Sequence, residues 1–118
     1  MLNATDAKQF ANRYIDAFNS RSIDRIMSLY AEKAEVVSPT VIQVLKKPTG
    51  VVAGQAEIRD YFTKALAAYP YLKWQLIEVT YGLSCVVAYY VNEKATRSCE
   101  VLELDAERRI IRHIATYS

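Results

Sequence analysis

Residues 72–81 read LKWQLIEVTY, and this stretch decides the fold. Apolar residues alternate at positions 72, 74 and 76 and then, one residue out of phase, at positions 77, 79 and 81. Alternation with a period of two predicts a β-strand, and a phase shift inside the strand predicts a β-bulge. Because a bulge bends its strand, we expect a curved sheet that can wrap around a cavity.

Further strands are predicted after this stretch. Residues 85–91 are apolar on both faces, which is typical of a central strand. Residues 96–104 and 109–117 predict the last two strands, with a turn over 105–108 between them. The second half of the chain is therefore predicted to be an antiparallel meander.

Helices are predicted before the meander. Apolar residues recur at helical spacing over 6–19, from about residue 22, and over 55–68. Thr5 and Ser22 are the candidate N-caps of the first two helices.

Short strands are predicted between the second and third helices. Residues 34–38 form one, residues 41–45 a second, and residues 51–52 return as a third after a turn. Helices followed mainly by strands indicate an α+β domain over residues 1–118. We expect a cone-shaped, curved antiparallel sheet with three N-terminal helices that enclose a pocket.

Composition excludes several classes of function. The chain has 118 residues, 52% of them apolar or aromatic, which is enough for the core of one domain. The net charge is only +2 and no basic block is present, so we expect no nucleic-acid partner. No apolar run is long enough to span a membrane, and the first six residues lack the pattern of a secretory signal. We expect a cytoplasmic location. Two cysteines and one histidine are too few for a zinc site, so we expect no metal or cofactor.

Two ionisable residues are predicted to meet in the last hairpin. If Ala106 and Glu107 form its loop, Glu100 lies opposite His113, with Cβ atoms about 4.5–5.5 Å apart. Leu102 shares this face, which we predict to point inward. The opposite face mixes apolar and charged residues, as expected of a homodimer interface. A carboxylate and an imidazole in an apolar cavity suit proton transfer, because burial favours their neutral forms and pairing favours their charged forms. A purely structural pair is the alternative.

Several motifs resemble the ketosteroid isomerases. They are RYIDAFN at 13–19, IMSLYA at 26–31, AEVVSP at 34–39 and GQAEIRDYF at 54–62. The wider superfamily contains nuclear transport factor 2-like domains and SnoaL-like polyketide cyclases. This resemblance implies a cystatin-like α+β barrel, and it leaves the activity open because the fold hosts many functions.

The resemblance also implies roles for individual residues. Tyr14 matches the tyrosine that donates a hydrogen bond to the developing dienolate oxygen, and Glu100 falls where the family has a protonated aspartate in the same oxyanion hole. Tyr30 matches a tyrosine that supports this network, and Phe62 replaces another one. Ser38 stands where the isomerases have their aspartate base, and a serine has no useful basicity near pH 7.

Two functions follow as hypotheses. In the first, His113 and Glu100 take over proton transfer, and the protein isomerises, cyclises or dehydrates a small apolar carbonyl compound held with the help of Tyr14. In the second, the domain is a ligand-binding or dimerising module with a vestigial pocket. The predicted substrate-binding residues are Ser38, Tyr30, Phe62, Trp74 and Leu102.

Overall fold

Four helices and six strands occur in residues 2–118, which the computed structural model describes. The helices are α1 Ala4–Ser20, α2 Ile23–Met27, α3 Pro39–Leu45 and α4 Gln55–Ala68. The strands are β1 Tyr30–Val37, β2 Val51–Ala53, β3 Gln75–Tyr81, β4 Cys85–Val91, β5 Arg97–Leu104 and β6 Ile110–Tyr117. None of the helices described is long and apolar enough to cross a membrane.

The six strands form one curved, unclosed sheet in the order β2-β1-β6-β5-β4-β3. Neighbouring strands are antiparallel, as predicted, except for one pair: β1 and β6 run parallel. The bulge predicted in β3 is confirmed, because its register with β4 shifts between Leu76 and Glu78. The strand itself begins at Gln75 rather than at residue 72.

The helices begin and end largely where the apolar periodicity predicts. The helix predicted over 55–68 is α4, with the same bounds. Ser22 caps α2 as predicted, and its side chain accepts from the backbone N–H of Arg25. The cap of α1 is Asn3 and not Thr5, because Asn3 Oδ1 accepts from the backbone N–H of Asp6 at 2.8 Å.

The segment predicted as a strand over residues 41–45 is the helix α3, which gives the protein four helices instead of three. Ser38 has extended backbone angles and its hydroxyl accepts from the backbone N–H of Thr40 at 3.1 Å, as an N-cap does. Pro39 then occupies the first turn, where its missing N–H costs nothing. A short apolar run does not distinguish a strand from a helix, and the cap decides it here.

The last hairpin is paired two residues away from the predicted register. Glu100 lies opposite Ala115, and His113 lies opposite Leu102. The backbone N–H of Asp105 donates to the carbonyl oxygen of Arg109, so the loop spans residues 106–108 and is one residue longer than predicted. A bulge between Glu103 and Leu104 adds the second residue of the shift. Side chains alternate along a strand, so a shift of two residues leaves Glu100 and His113 on the same face. That face points inward, and the two side chains are 2% and 3% exposed.

Candidate active site

A cavity of about 380 Å³ lies between the inner face of the sheet and the helices α1, α3 and α4. Its walls are mainly aromatic. The Trp74 ring stacks between Phe18, at 4.6 Å, and Tyr90, at 4.3 Å, measured between ring centres. Phe62 meets Phe18 edge-on at 5.1 Å. These contacts hold the rings in place, so the cavity has stiff, apolar sides.

His113 is at the centre of a buried polar group that we call the inner cluster, made of Tyr14, Tyr30, Tyr90, Glu100 and His113. His113 Nδ1 lies 2.8 Å from the Tyr30 hydroxyl, and Nε2 lies 3.3 Å from the Tyr14 hydroxyl. Glu100 Oε2 is 3.5 Å from the same Nε2. Tyr90 donates to the other carboxylate oxygen, Oε1, at 2.9 Å.

The hydrogen bonds assign the position of the imidazole proton. Tyr30 is 2% exposed, and its hydroxyl needs an acceptor. Its one described partner is His113 Nδ1, so Tyr30 donates and Nδ1 accepts. The ring proton then lies on Nε2, between the Tyr14 oxygen and Glu100. Because Nε2–H donates to the Tyr14 oxygen, the Tyr14 hydroxyl proton is not needed for the bond to His113 and can point into the cavity.

Glu100 carries the one unsatisfied atom among the buried side-chain oxygens and nitrogens of residues 2–118. Its Oε2 has no hydrogen-bond partner, and the contact with His113 is long for a hydrogen bond. A buried acceptor without a donor costs about 1–3 kcal/mol. Because Glu100 lines the cavity, a ligand that brings a donor or a transferable proton removes that cost.

The phenols of the inner cluster remain protonated at neutral pH. Burial raises the pKa of Tyr14 and of Tyr30 well above the usual value, and the nearby charge of Glu100 raises both further. Burial, and then the charge of Glu100, also raise the pKa of Tyr90. These tyrosines therefore act as hydrogen-bond donors and not as bases.

A second polar group, which we call the outer cluster, consists of Ser38, Thr40 and Tyr117. The Tyr117 hydroxyl lies 3.3 Å from Ser38 Oγ and accepts from Thr40 Oγ1 at 3.2 Å. Ser38 is 3% exposed, whereas Tyr117 is 44% exposed, so this cluster connects the cavity to its mouth. No carboxylate takes part, and position 38 therefore supplies no base.

The structure brings most of the predicted site residues together. Those that line the cavity are Tyr14, Ser38, Phe62, Trp74, Glu100 and His113. Tyr30 and Leu102 are buried and do not line it: Tyr30 supports His113 from behind, and Leu102 is its neighbour on β5. No group of three or more metal-binding side chains occurs among the residues described.

Sequence reasoning missed Thr40 and Tyr117. Thr40 lies between the two segments predicted as strands, 34–38 and 41–45, and received no role, and the tyrosine near the end of β6 carries no local signal of its own. The pair Ser38-Pro39 was the available sign, because serine followed by proline is typical of the start of a helix.

Comparisons with known proteins agree with this architecture. The family described as SnoaL-like domain matches residues 11–113. A SnoaL-like protein of unknown function from Burkholderia thailandensis E264 is 30% identical with a TM-score of 0.91, and the match covers 98% of this chain and 97% of that one. No curated protein matches the chain.

Two structures of lower identity share the fold. SalBIII, an epoxide hydrolase/cyclase-like enzyme of pyran ring formation in salinomycin, is 18% identical with a TM-score of 0.78, over 100% of this chain and 95% of that one. A proposed isomerase of the SnoaL-like family from Agrobacterium tumefaciens C58 is 17% identical with a TM-score of 0.78, over 97% and 98%. The resemblance noted in the motifs between residues 13 and 62 is confirmed, and the chain belongs to the SnoaL-like domain family.

Proposed function

We propose that the cavity binds a small, largely apolar carbonyl compound and that the inner cluster catalyses proton transfer on it. The outcome is an isomerisation, a cyclisation or a dehydration. The observation that carries this proposal is the unpartnered Glu100 Oε2, buried beside His113 Nε2 in a cavity with aromatic walls. A positioned carboxylate in an apolar site is suited to accept a proton from carbon.

Each group has one role in the proposed reaction. Tyr14 donates its hydroxyl proton as a hydrogen bond to the carbonyl oxygen. Glu100 Oε2 takes the proton from the neighbouring carbon, and the electron pair of that C–H bond moves onto the carbonyl oxygen. His113 Nε2–H holds the Tyr14 oxygen in place, and the Tyr90 hydroxyl holds Glu100 through its other oxygen, Oε1. Return of the proton from Glu100 to another carbon completes an isomerisation, and its transfer to a neighbouring hydroxyl group that leaves as water completes a dehydration. Attack of the enolate carbon on a second carbonyl of the same compound, with the proton passing to the new alkoxide, completes a cyclisation.

Deuterium exchange tests the proposal without knowledge of the product. The protein is incubated in D₂O with steroid and polyketide-like ketones, and mass spectrometry measures deuterium next to the carbonyl. We expect catalysed exchange that falls by roughly 10²–10⁴-fold in Glu100→Gln, and clearly also in Tyr14→Phe and His113→Ala. The same change at an exposed carboxylate, Glu32→Gln, is the control and keeps wild-type exchange.

The proposal fails if ketones that bind show no exchange above background. It fails equally if all three variants match the wild type while circular dichroism shows them folded.

A ligand-binding module without catalysis is the second candidate. Ser38 favours it, because the hydroxyl caps α3 and bonds to Tyr117 in place of a base. This candidate predicts stabilisation by ligand, about 2.7 kcal/mol at 100 times the dissociation constant, with no exchange.

We also propose that the outer face of the sheet binds a second copy of the chain. Half-buried Val37, Ile114, Val101 and Val87 form an apolar row across four adjacent strands. Beside the row, acidic and basic residues alternate, with Arg112 bonded to Glu35 at 3.3 Å. Mixed charges suit a copy of the same surface better than a partner of one sign. The cytoplasmic location stays a prediction.

A further inference from the structure

Trp74 connects the two halves of the candidate active site. Its indole stacks on Phe18 at 4.6 Å and on Tyr90 at 4.3 Å, measured between ring centres. Phe18 packs on Tyr14, the proposed donor to the carbonyl oxygen. Tyr90 donates to Glu100, the proposed base. The positions of both groups therefore depend on where the indole lies.

The sheet does not hold the backbone of Trp74. The strand β3 begins one residue later, at Gln75, which is also its first residue paired with β4. Trp74 lies instead at the end of the segment that joins α4 to β3. The described hydrogen bonds of Trp74 are both made by its backbone, so the indole is held by stacking and by whatever fixes that backbone.

Asn19 makes both of these backbone bonds. Its Oδ1 accepts from the Trp74 N–H at 2.8 Å, and its Nδ2 donates to the Trp74 carbonyl oxygen, also at 2.8 Å. A carboxamide carries an acceptor and a donor side by side, so it offers the backbone the same pair of groups that a neighbouring strand would. Asn19 follows Phe18 in α1, so two consecutive residues hold Trp74, one at its ring and the other at its backbone. Asn19 itself is exposed and does not line the cavity.

We propose that Asn19 is a positioning residue of the cavity, which fixes the backbone of Trp74 and, through the indole, the places of Tyr14 and Glu100. The position requires asparagine, because aspartate lacks the donor and glutamine carries its carboxamide one methylene further from the helix. The catalytic consequence rests on the proposed function, whereas the fixing of Trp74 does not.

Tryptophan fluorescence tests the fixing directly, because Trp74 is the single tryptophan of the chain. In the ligand-free protein, Asn19→Ala should shift the emission to longer wavelength and increase quenching by acrylamide, since a loosened indole meets more water. Asn19→Asp should do the same, because it keeps the shape and places an oxygen opposite the Trp74 carbonyl. The control is Asn12→Ala, which is exposed on the same helix and away from the cavity, and it should leave both readouts unchanged.

Deuterium exchange measures the catalytic consequence. The probe is 2-tetralone, a two-ring ketone chosen to suit a cavity of about 380 Å³. We expect its exchange to fall roughly 10-fold in both Asn19 variants, which is less than the ~10²-fold that a 1 Å misplacement can cost. Circular dichroism confirms that each variant is folded under the conditions of the assay. A residue that only stabilised the fold would lower the urea midpoint and leave emission and exchange of the folded protein unchanged.

Two results would overturn the inference. One is an Asn19→Ala variant whose emission and quenching equal those of Asn12→Ala. The other is a shifted emission with exchange as fast as in the wild type. Failure of the proposed reaction looks different, because the wild type itself would then exchange no ketone, while the fluorescence comparison would still decide whether Asn19 fixes Trp74.

Discussion

The imidazole proton of His113 is predicted to lie on Nε2, and the chain is well suited to test this because it contains a single histidine. The 2.8 Å bond from the buried Tyr30 hydroxyl leaves Nδ1 as an acceptor. Long-range ¹H–¹⁵N correlation spectra of ¹⁵N-labelled protein distinguish the two ring nitrogens. We expect an unprotonated Nδ1 and a protonated Nε2 at neutral pH.

The variant Tyr30→Phe measures how much the hydrogen bond between Tyr30 and His113 contributes to the free energy of unfolding. The variant keeps the ring and removes the donor, so Nδ1 is left buried beside a side chain that cannot pair with it. Loss of one partner of a buried bond costs about 1–3 kcal/mol. That is a large share of the roughly 5–15 kcal/mol by which a domain is stable. Urea unfolding followed by circular dichroism measures it.

The control is the same substitution at Tyr71, which is 84% exposed, and it should change the free energy of unfolding by less than about 0.5 kcal/mol. Two results would refute the reasoning. One is a spectrum with the proton on Nδ1 in the wild type. The other is a Tyr30→Phe variant as stable as Tyr71→Phe, which would mean that the bond to His113 carries no net stability.

Three further predictions follow from the fold. Burial raises the pKa of Tyr14, Tyr30 and Tyr90 in the folded protein. The stability that these tyrosines contribute is therefore complete below about pH 10, their pKa in the unfolded chain, and is lost as the pH rises above it. Their ionisation, measured by absorbance at 295 nm, should coincide with unfolding, and reversible ionisation of every phenol in the folded protein would contradict this. Gly50→Ala should destabilise the protein by about 1–2 kcal/mol in urea, because φ is +70° and the new Cβ would lie 3.3 Å from the Ser38 carbonyl oxygen. Val101→Lys, in the centre of the apolar row, should convert the proposed dimer to a monomer in light scattering with an unchanged circular dichroism spectrum, and a wild type that is already monomeric would remove the dimer.

The fold was predictable because its long elements repeat their pattern many times. Seven positions of α1 are buried at helical spacing, and the same is true of four in α4. The segment over 39–45 is too short for its apolar spacing to predict a helix. Val41 is its one fully buried side chain, so periodicity could not separate a helix from a strand. The outer cluster includes the N-cap Ser38 and Thr40 of this helix, so it could not be predicted while the helix itself was missed.

The pairing of Glu100 with His113 was predicted from the wrong register and is nevertheless correct in kind. Parity explains this, because the real loop and bulge together moved the strand by two positions. A shift of one would have placed His113 on the outer face. Strand parity does not determine the contact between His113 and Tyr14. This contact depends on how α1 packs on the sheet, which only the resemblance to a family could suggest.

The three proposed catalytic residues lie on different kinds of secondary structure, so we expect their positions to respond differently to mutation. Glu100 and His113 lie on adjacent strands, where backbone hydrogen bonds hold their spacing. Tyr14 lies on a helix, so side-chain contacts alone hold it against them: its hydroxyl is 3.3 Å from His113 Nε2, and its ring is 5.0 Å from Phe18 and 6.0 Å from Trp74. A smaller side chain at position 18 should therefore displace the phenol more than the carboxylate, because Phe18 packs directly on Tyr14, whereas Trp74 also stacks on Tyr90, the donor to Glu100. Phe18→Leu would then weaken stabilisation of the carbonyl oxygen while Glu100 still accepts protons, so exchange should fall for weakly acidic ketones and persist for strongly acidic ones. An equal loss for both would mean that the packing of α1 and the strand pair act as one unit.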